Sequence, residues 1–290
     1  MFSKFKAALS SIILAKDQDS AMTAEDVLYE GQTLSGLTRI TQNANGIRVL
    51  RFGQNGPRQS VVKMGDLDYL GLPYTKAAMI GLAFTDHVDR ILVIGLGGGN
   101  IPMFLRKHYP DAHIDVVDVD PQIITLAKRY FNFSDDSSLH VYAQDGRTFI
   151  TQVQKPYDLI FLDAFTEAGI PQHLATKEFL LTLKKGLKHS GVIIANLWGT
   201  QAVNPLYKLM LRTYQEVFHE VYRLSVPEAG NKVVIALPAL TARPLKYLSE
   251  RAHQISIQKQ LPFNLSEILK PGLIKLIDLQ DTQILQDQDR

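Results

Sequence analysis

From Ile91 onward, short apolar runs alternate with helical segments, and no other feature narrows the fold so far. The runs are ILVIG (91–95), IDVVDV (114–119), LHVYA (139–143), DLIFLD (158–163), VIIANLW (192–198), VYRLSV (221–226) and KVVIALP (232–238), with helical spacing around 121–131, 173–187 and 203–218. Strands this apolar belong in a sheet covered on both faces, and the alternation is that of βαβ units in a parallel sheet. The last two runs are an exception. Only PEAGN (227–231) separates them, far too little chain for a crossover, so they must pair antiparallel. The expectation is a doubly wound α/β sheet closed at one side by an antiparallel hairpin.

The chain before this region reads differently. VLYE, LTRIT, IRVLRF and QSVVKM between residues 27 and 64 are strand-like, and Asn45-Gly46 and Asn55-Gly56 are hairpin signals because both positions tolerate positive φ. A helical stretch, Leu72 to Phe84, leads into the alternating region. The expected organisation is an N-terminal helix or tail (1–26), a β-hairpin domain with its linking helix (27–85), the α/β domain (86–240) and a C-terminal helical appendage (241–290) with a frayed tail.

Composition removes several function classes. The 290 residues carry 31 basic and 29 acidic side chains, a formal charge of +2, without the basic excess of a nucleic-acid binder. Cysteine is absent, which excludes thiolate nucleophiles and cysteine-ligated zinc. The eight histidines are scattered without an H-E-x-x-H pattern, so no metal site is expected. The N-terminal MFSKFKAALSSIILAK lacks the small-residue cleavage site of a secretory signal, and no run approaches the roughly 20 apolar residues of a membrane span. The reading is a cytoplasmic protein with no membrane partner.

The chemistry gathers at strand ends. Gly95-Leu96-Gly97-Gly98-Gly99-Asn100 lies between the first apolar strand and the next helix, where glycines let backbone amides approach an anionic group at a helix N-terminus. Asp118 ends the second strand 23 residues beyond Gly95, the spacing at which a carboxylate meets ribose hydroxyls. Asp120, before Pro121, reads as a helix cap. Asp145 follows the third strand in AQDGR, where capping and adenine contact are both open, and Asp163 ends the fourth. Ligands of open α/β sheets bind at this edge.

Taken together, ILVIGLGGG, VVDVD, AQDGR and YDLIFLDAF…GIPQHLATKEFLLTLKKGLKHSGVIIANLW resemble the spermidine synthase (polyamine aminopropyltransferase) family, including its methyltransferase-like relatives, over roughly residues 27–240. The resemblance implies a class I S-adenosylmethionine-dependent methyltransferase-like, Rossmann-type sheet. It also implies a nucleoside donor, S-adenosylmethionine or decarboxylated S-adenosylmethionine, and no metal. On that basis Gly95, Gly97, Gly98 and Gly99 hold the donor's arm, Asp118 the ribose, and Asp145 with Gly146 the adenine. Asp163 is the catalytic carboxylate facing the reacting group, and Gln59 lies in the N-terminal wall of the pocket.

Three departures bear on the reaction. Gly98 stands where spermidine synthases carry an acid in GGGDGG, Pro73-Tyr74-Thr75 replaces their Tyr-His-Glu, and Asp163-Ala164-Phe165-Thr166-Glu167 keeps only the first acid of D-S-x-D-P. A diamine needs carboxylates at both ends, so the expectation favours methyl transfer from the intact donor to an amine-type acceptor (a polyamine, small amine or protein). Aminopropyl transfer is the alternative, and non-catalytic nucleoside binding a third reading. Tyr74 and Trp198 are candidate pocket walls, and the N-terminal sheet offers an edge for a homodimer.

Overall fold

A computed structural model describes residues 25–289 apart from 200–203, 205, 228, 242, 278, 280 and 281; the expected N-terminal helix or tail lies outside the described residues, save its last two positions. The N-terminal strands β1 (Asp26–Thr33), β2 (Gly36–Gln42), β3 (Ile47–Phe52) and β4 (Arg58–Lys63) form an antiparallel meander in chain order. At the first predicted hairpin, Asn43 accepts hydrogen bonds from the amides of Asn45 and Ile47, both at 3.0 Å. At the second, the positive φ falls on Gly53 and not on Gly56. The register between β3 and β4 shifts at Leu50 and Arg51, so the chain reverses through a longer loop than a two-residue Asn-Gly turn.

The linking helix is real but divided: α1 (Pro73–Ala78) tightens into a 3-10 turn (Met79–Phe84) whose residues are all buried. Beyond it lie β5 (Arg90–Ile94), β6 (His113–Asp118), β7 (Leu139–Ala143), β8 (Tyr157–Leu162), β9 (Leu187–Trp198), β10 (Glu220–Ser225), β11 (Asn231–Leu237) and β12 (Leu273–Lys275). Among the described residues they form one sheet in the order β12-β10-β11-β9-β8-β5-β6-β7. β5 through β9 pair parallel. β11 runs antiparallel to both β9 and β10, the hairpin that PEAGN required.

The sheet is covered on both faces, and alternation along each strand assigns the sides. Ile91, Val93, Leu159 and Phe161 enter one core; Leu92, Ile94, Ile160 and Leu162 enter the other. The first is covered by α2 (Asn100–His108), α3 (Pro121–Tyr130) and α7 (Leu245–Gln258), and the second by α4 (Gly146–Thr151), α5 (Lys177–Lys185) and α6 (Leu206–Val217). Burying each such aliphatic or aromatic side chain stabilises by about 1.5–3 kcal/mol before conformational entropy is subtracted. A third cluster joins Ile40, Leu50, Phe52 and Val62 of the meander to Ile123, Leu126 and Phe131 at α3. It fixes the N-terminal sheet over the carboxyl ends of the central strands.

The C-terminal segment departs from the expected helical appendage. It contributes α7, but it also adds β12 to the edge of β10, and described residues of its tail pack on the domain. Leu285 is buried, its amide donates to Thr213 Oγ1 at 2.9 Å, and its carbonyl accepts from the Lys177 amide at 2.8 Å. Among the described residues no helix is long and apolar enough to cross a membrane.

Candidate functional site

The chain leaves β5 at the point where the sheet order reverses, since β6 and β7 lie to one side of it and β8 and β9 to the other. Adjacent βα connections therefore diverge there and leave a crevice at the strand ends. Gly95 opens the turn at φ 100°. A side chain at this position would strike the backbone carbonyl of Asp163, so glycine allows the ends of β5 and β8 to meet.

Asp118 organises the same turn from the next strand. Its Oδ2 accepts from the Leu96 amide at 2.9 Å and its Oδ1 from the Asp120 amide at 3.0 Å. Burial pushes its carboxyl above the usual range, against the pull of those amides. Asp120 caps α3 through the Gln122 amide, at 2.9 Å, and also accepts from the Ser35 amide of the meander, at 3.1 Å.

The floor of the turn comes from the N-terminal sheet. Ser60 Oγ on β4 accepts from the Gly98 amide at 2.8 Å, and Phe131 and Phe133 back Gly98 and Gly99. A Cβ at Gly98 would lie 3.0 Å from Ser60 Cβ and 3.2 Å from Phe131 Cδ1. An acid at this place in the loop would press on Ser60 and Phe131.

Asp163 faces this turn across a cleft lined by Gln59, Ser60, Tyr74, Gly95, Leu96 and Asp163 itself. Two donors hold its carboxylate: Tyr74 OH at 2.8 Å to Oδ2 and Asn196 Nδ2 at 2.9 Å to Oδ1. Asn196 is held in turn by Asn231 Nδ2, at 2.9 Å from its Oδ1. Burial pushes the Asp163 carboxyl up to about 6, with the Asn196 and Tyr74 hydrogen bonds opposing. Burial and the neighbouring Asp163 charge push the Tyr74 phenol well above its ordinary value, so Tyr74 remains a donor at neutral pH. A carboxylate so placed can orient an amine and take its proton.

The expected site residues are thus divided among three places. Gln59, Gly95 and Asp163 share the cleft, Asp118 reaches it through the Leu96 amide, and Gly97, Gly98 and Gly99 pack against Ser60, Phe131 and Phe133. Asp145 and Gly146 stand one strand further out and do not line the cleft. Asp145 caps α4 through the Thr148 amide at 2.9 Å and binds His173 Nε2 at 2.7 Å. Partial burial raises its carboxyl, but the His173 and Thr148 hydrogen bonds outweigh that and hold it below the usual value. Gly146 has a packing reason: a Cβ there would lie 2.5 Å from Ile94 Cγ2.

Glu167, one position beyond the place of the second acid in D-S-x-D-P, is exposed and lies over Gly36 and Gly53 of the meander. Trp198 packs against Gly230 outside the cleft. Sequence reasoning missed Asn196 and Ser60. Asn196 had a signal, because one amide within the apolar run VIIANLW must find a buried partner.

Known proteins can be set beside this geometry. The family model described as the spermine/spermidine synthase domain matches residues 74–243. A polyamine aminopropyltransferase of Vibrio vulnificus is 36% identical over 222 residues, which span 74% of this chain and 73% of that protein. An eEF1A lysine and N-terminal methyltransferase of Xenopus laevis is 27% identical over 237 residues, 73% of this chain and 34% of that protein. Among solved structures, human methyltransferase-like protein 13 in complex with SAH superposes with a TM-score of 0.61 at 25% identity, covering 66% of this chain and 94% of that one.

Proposed function

The chain belongs to the spermine/spermidine synthase family of transferases, and we propose that it transfers the aminopropyl group of decarboxylated S-adenosylmethionine to an amine of the polyamine class. The observation that carries this reading is Asp163: a carboxylate fixed by Tyr74 and Asn196, raised to about 6, and facing the glycine turn across a cleft. The donor lies along the strand ends, with its ribose at Asp118, its arm along Gly95 to Gly99, its adenine toward Asp145 and Gly146, and Gln59 as the opposite wall. The acceptor amine attacks the carbon next to the sulfonium as the C–S bond breaks and the thioether leaves with the electron pair. Asp163 takes the proton released from the new ammonium. Alignment supplies most of the rate in such a displacement, and the positioned base adds to it.

The sequence leans toward methyl transfer because the loop acid and the second acid of D-S-x-D-P are both missing. Similarity to an aminopropyltransferase over nearly three quarters of both chains supports aminopropyl transfer better. Methyl transfer from intact S-adenosylmethionine to an amine is the second reading, favoured by one observation. Gly98 leaves the turn without a carboxylate to repel the donor's own.

Incubation with putrescine and each donor in turn separates the readings. Methylthioadenosine and spermidine from the decarboxylated donor support the first, and S-adenosylhomocysteine from the intact donor the second. Binding of either donor with no product from any amine would overturn both.

A further inference from the structure

Toward the other end of the strands, away from the cleft, β6 and β7 bring together two imidazoles and a carboxylate. His113 opens β6 and Asp115, two residues on, shares its face; the register pairs Asp115 with His140 of β7. One ligand atom from each lies within 4.8 Å of the other two.

The bonding within this group is incomplete in a specific way. The Asp115 side chain is 5% exposed, and its Oδ2 accepts from Tyr157 OH at 2.7 Å and Arg90 Nη2 at 3.3 Å. Among the described residues its Oδ1 and His140 Nδ1 are buried without a hydrogen-bond partner, while the Tyr142 hydroxyl also lies against the carboxylate. His113 Nε2 lies 3.2 Å from that Oδ1, an ion-pair distance when the imidazole is protonated. Two ligands bound at about 2.0–2.1 Å to one tetrahedral zinc stand roughly 3.3 Å apart, a separation the His113 Nε2 and Asp115 Oδ1 pair has, and a small rotation of the His140 ring brings the third ligand in from within 4.8 Å. Tyr157 and Arg90 occupy the other oxygen, the outer support that a ligating carboxylate takes. Asp135 adds negative charge near His140, against the positive charge of Arg90.

We propose that His113, Asp115 and His140 bind a transition-metal dication of the zinc class, with two imidazoles, one carboxylate and a fourth position open to solvent beside the 34% exposed His113 side chain. Such a site pins the outer strand β7 to β6 and is separate from the transfer reaction. The sequence held no sign of it, because residues 113 and 115 meet residue 140 only through the strand register.

The full chain, stripped with a chelator, is titrated with Zn²⁺ by calorimetry and melted with and without the metal. The expected result is one equivalent bound, a raised melting temperature, no effect of Mg²⁺, and binding at least tenfold weaker in His113→Gln and in His140→Gln. A second measurement uses the unaltered protein: Zn²⁺ should protect His113 and His140 from diethylpyrocarbonate, mapped by mass spectrometry, and Co²⁺ should give a tetrahedral visible spectrum. The chain has eight histidines, so Zn²⁺ binding that leaves His113 and His140 open to the reagent overturns the proposal. So does the absence of saturable binding at micromolar Zn²⁺.

Discussion

Burial lifts the Asp163 carboxyl to about 6, and the hydrogen bonds from Asn196 and Tyr74 pull against it. An unfolded aspartate titrates near about 3.9, so the folded protein holds this proton more tightly than the unfolded chain. The resulting stability is fully present below pH 4 and is lost as pH rises through about 6. Asp163→Asn keeps an acceptor for Asn196 and a partner for Tyr74 but cannot ionise. The variant should exceed the native protein in stability by about 2–3 kcal/mol at pH 8, at about 1.4 kcal/mol per pKa unit, and by nothing below pH 4. Urea unfolding at the two pH values checks this. The same substitution removes the proton acceptor and should lower kcat by roughly 10²- to 10⁴-fold. In the native protein, activity should fall as pH drops below about 6. Tyr74→Phe removes one donor from the carboxylate, so that acid limb should move upward.

At the scale of elements, the glycine turn and β4 act as one unit. Gly97 has φ 53°, and a Cβ there would lie 2.6 Å from Ser60 Oγ. Gly97→Val is therefore expected to abolish nucleoside binding in calorimetry while the circular dichroism of the sheet survives; normal binding would remove the turn from the donor site. Restoring the family's loop acid is a harder change than the sequence suggests. Gly98→Asp meets Ser60 and Phe131 and should lower the melting temperature, whereas the double variant with Ser60→Gly relieves the closer contact. In that double variant a new carboxylate a few ångströms from the donor arm should shift preference toward the decarboxylated donor by tenfold or more. Repulsion between two like charges at such a distance is on the order of a few kcal/mol at an effective dielectric near 20. An unchanged ratio of the two affinities would show that the arm does not pass Gly98.

Across the whole molecule, the tail closes the face on which α4, α5 and α6 pack. Leu285 is buried in that core, and two residues on Asp287 pairs with Arg147 of α4, next to Gly146. Leu285→Ala should destabilise the protein by about 2–5 kcal/mol, the range for a buried leucine, measured by denaturant midpoint at constant m. An effect within a few tenths of a kcal/mol would mean that the tail rests on the surface without stabilising it.

Two strong local periodicities made the architecture legible from sequence. Apolar runs alternating with helical segments specified the doubly wound sheet, and a five-residue connection forced the β10 and β11 pair antiparallel. Asp118 and Asp163 were readable as strand-end carboxylates beside the glycine turn because a strand end followed by a turn is itself a local signal. What the tertiary structure alone decided depends on pairings between distant segments. Ser60 meets Gly98 because the meander docks on α3, and Asn196 and Tyr74 meet Asp163 because β9 pairs with β8 and α1 packs against β9 and β11. His140 faces Asp115 through one register out of several that the two apolar strands would accept. A side chain's type and spacing record which face of its own element it occupies; which partner stands opposite is set by register and docking, and neither leaves a mark in the local sequence.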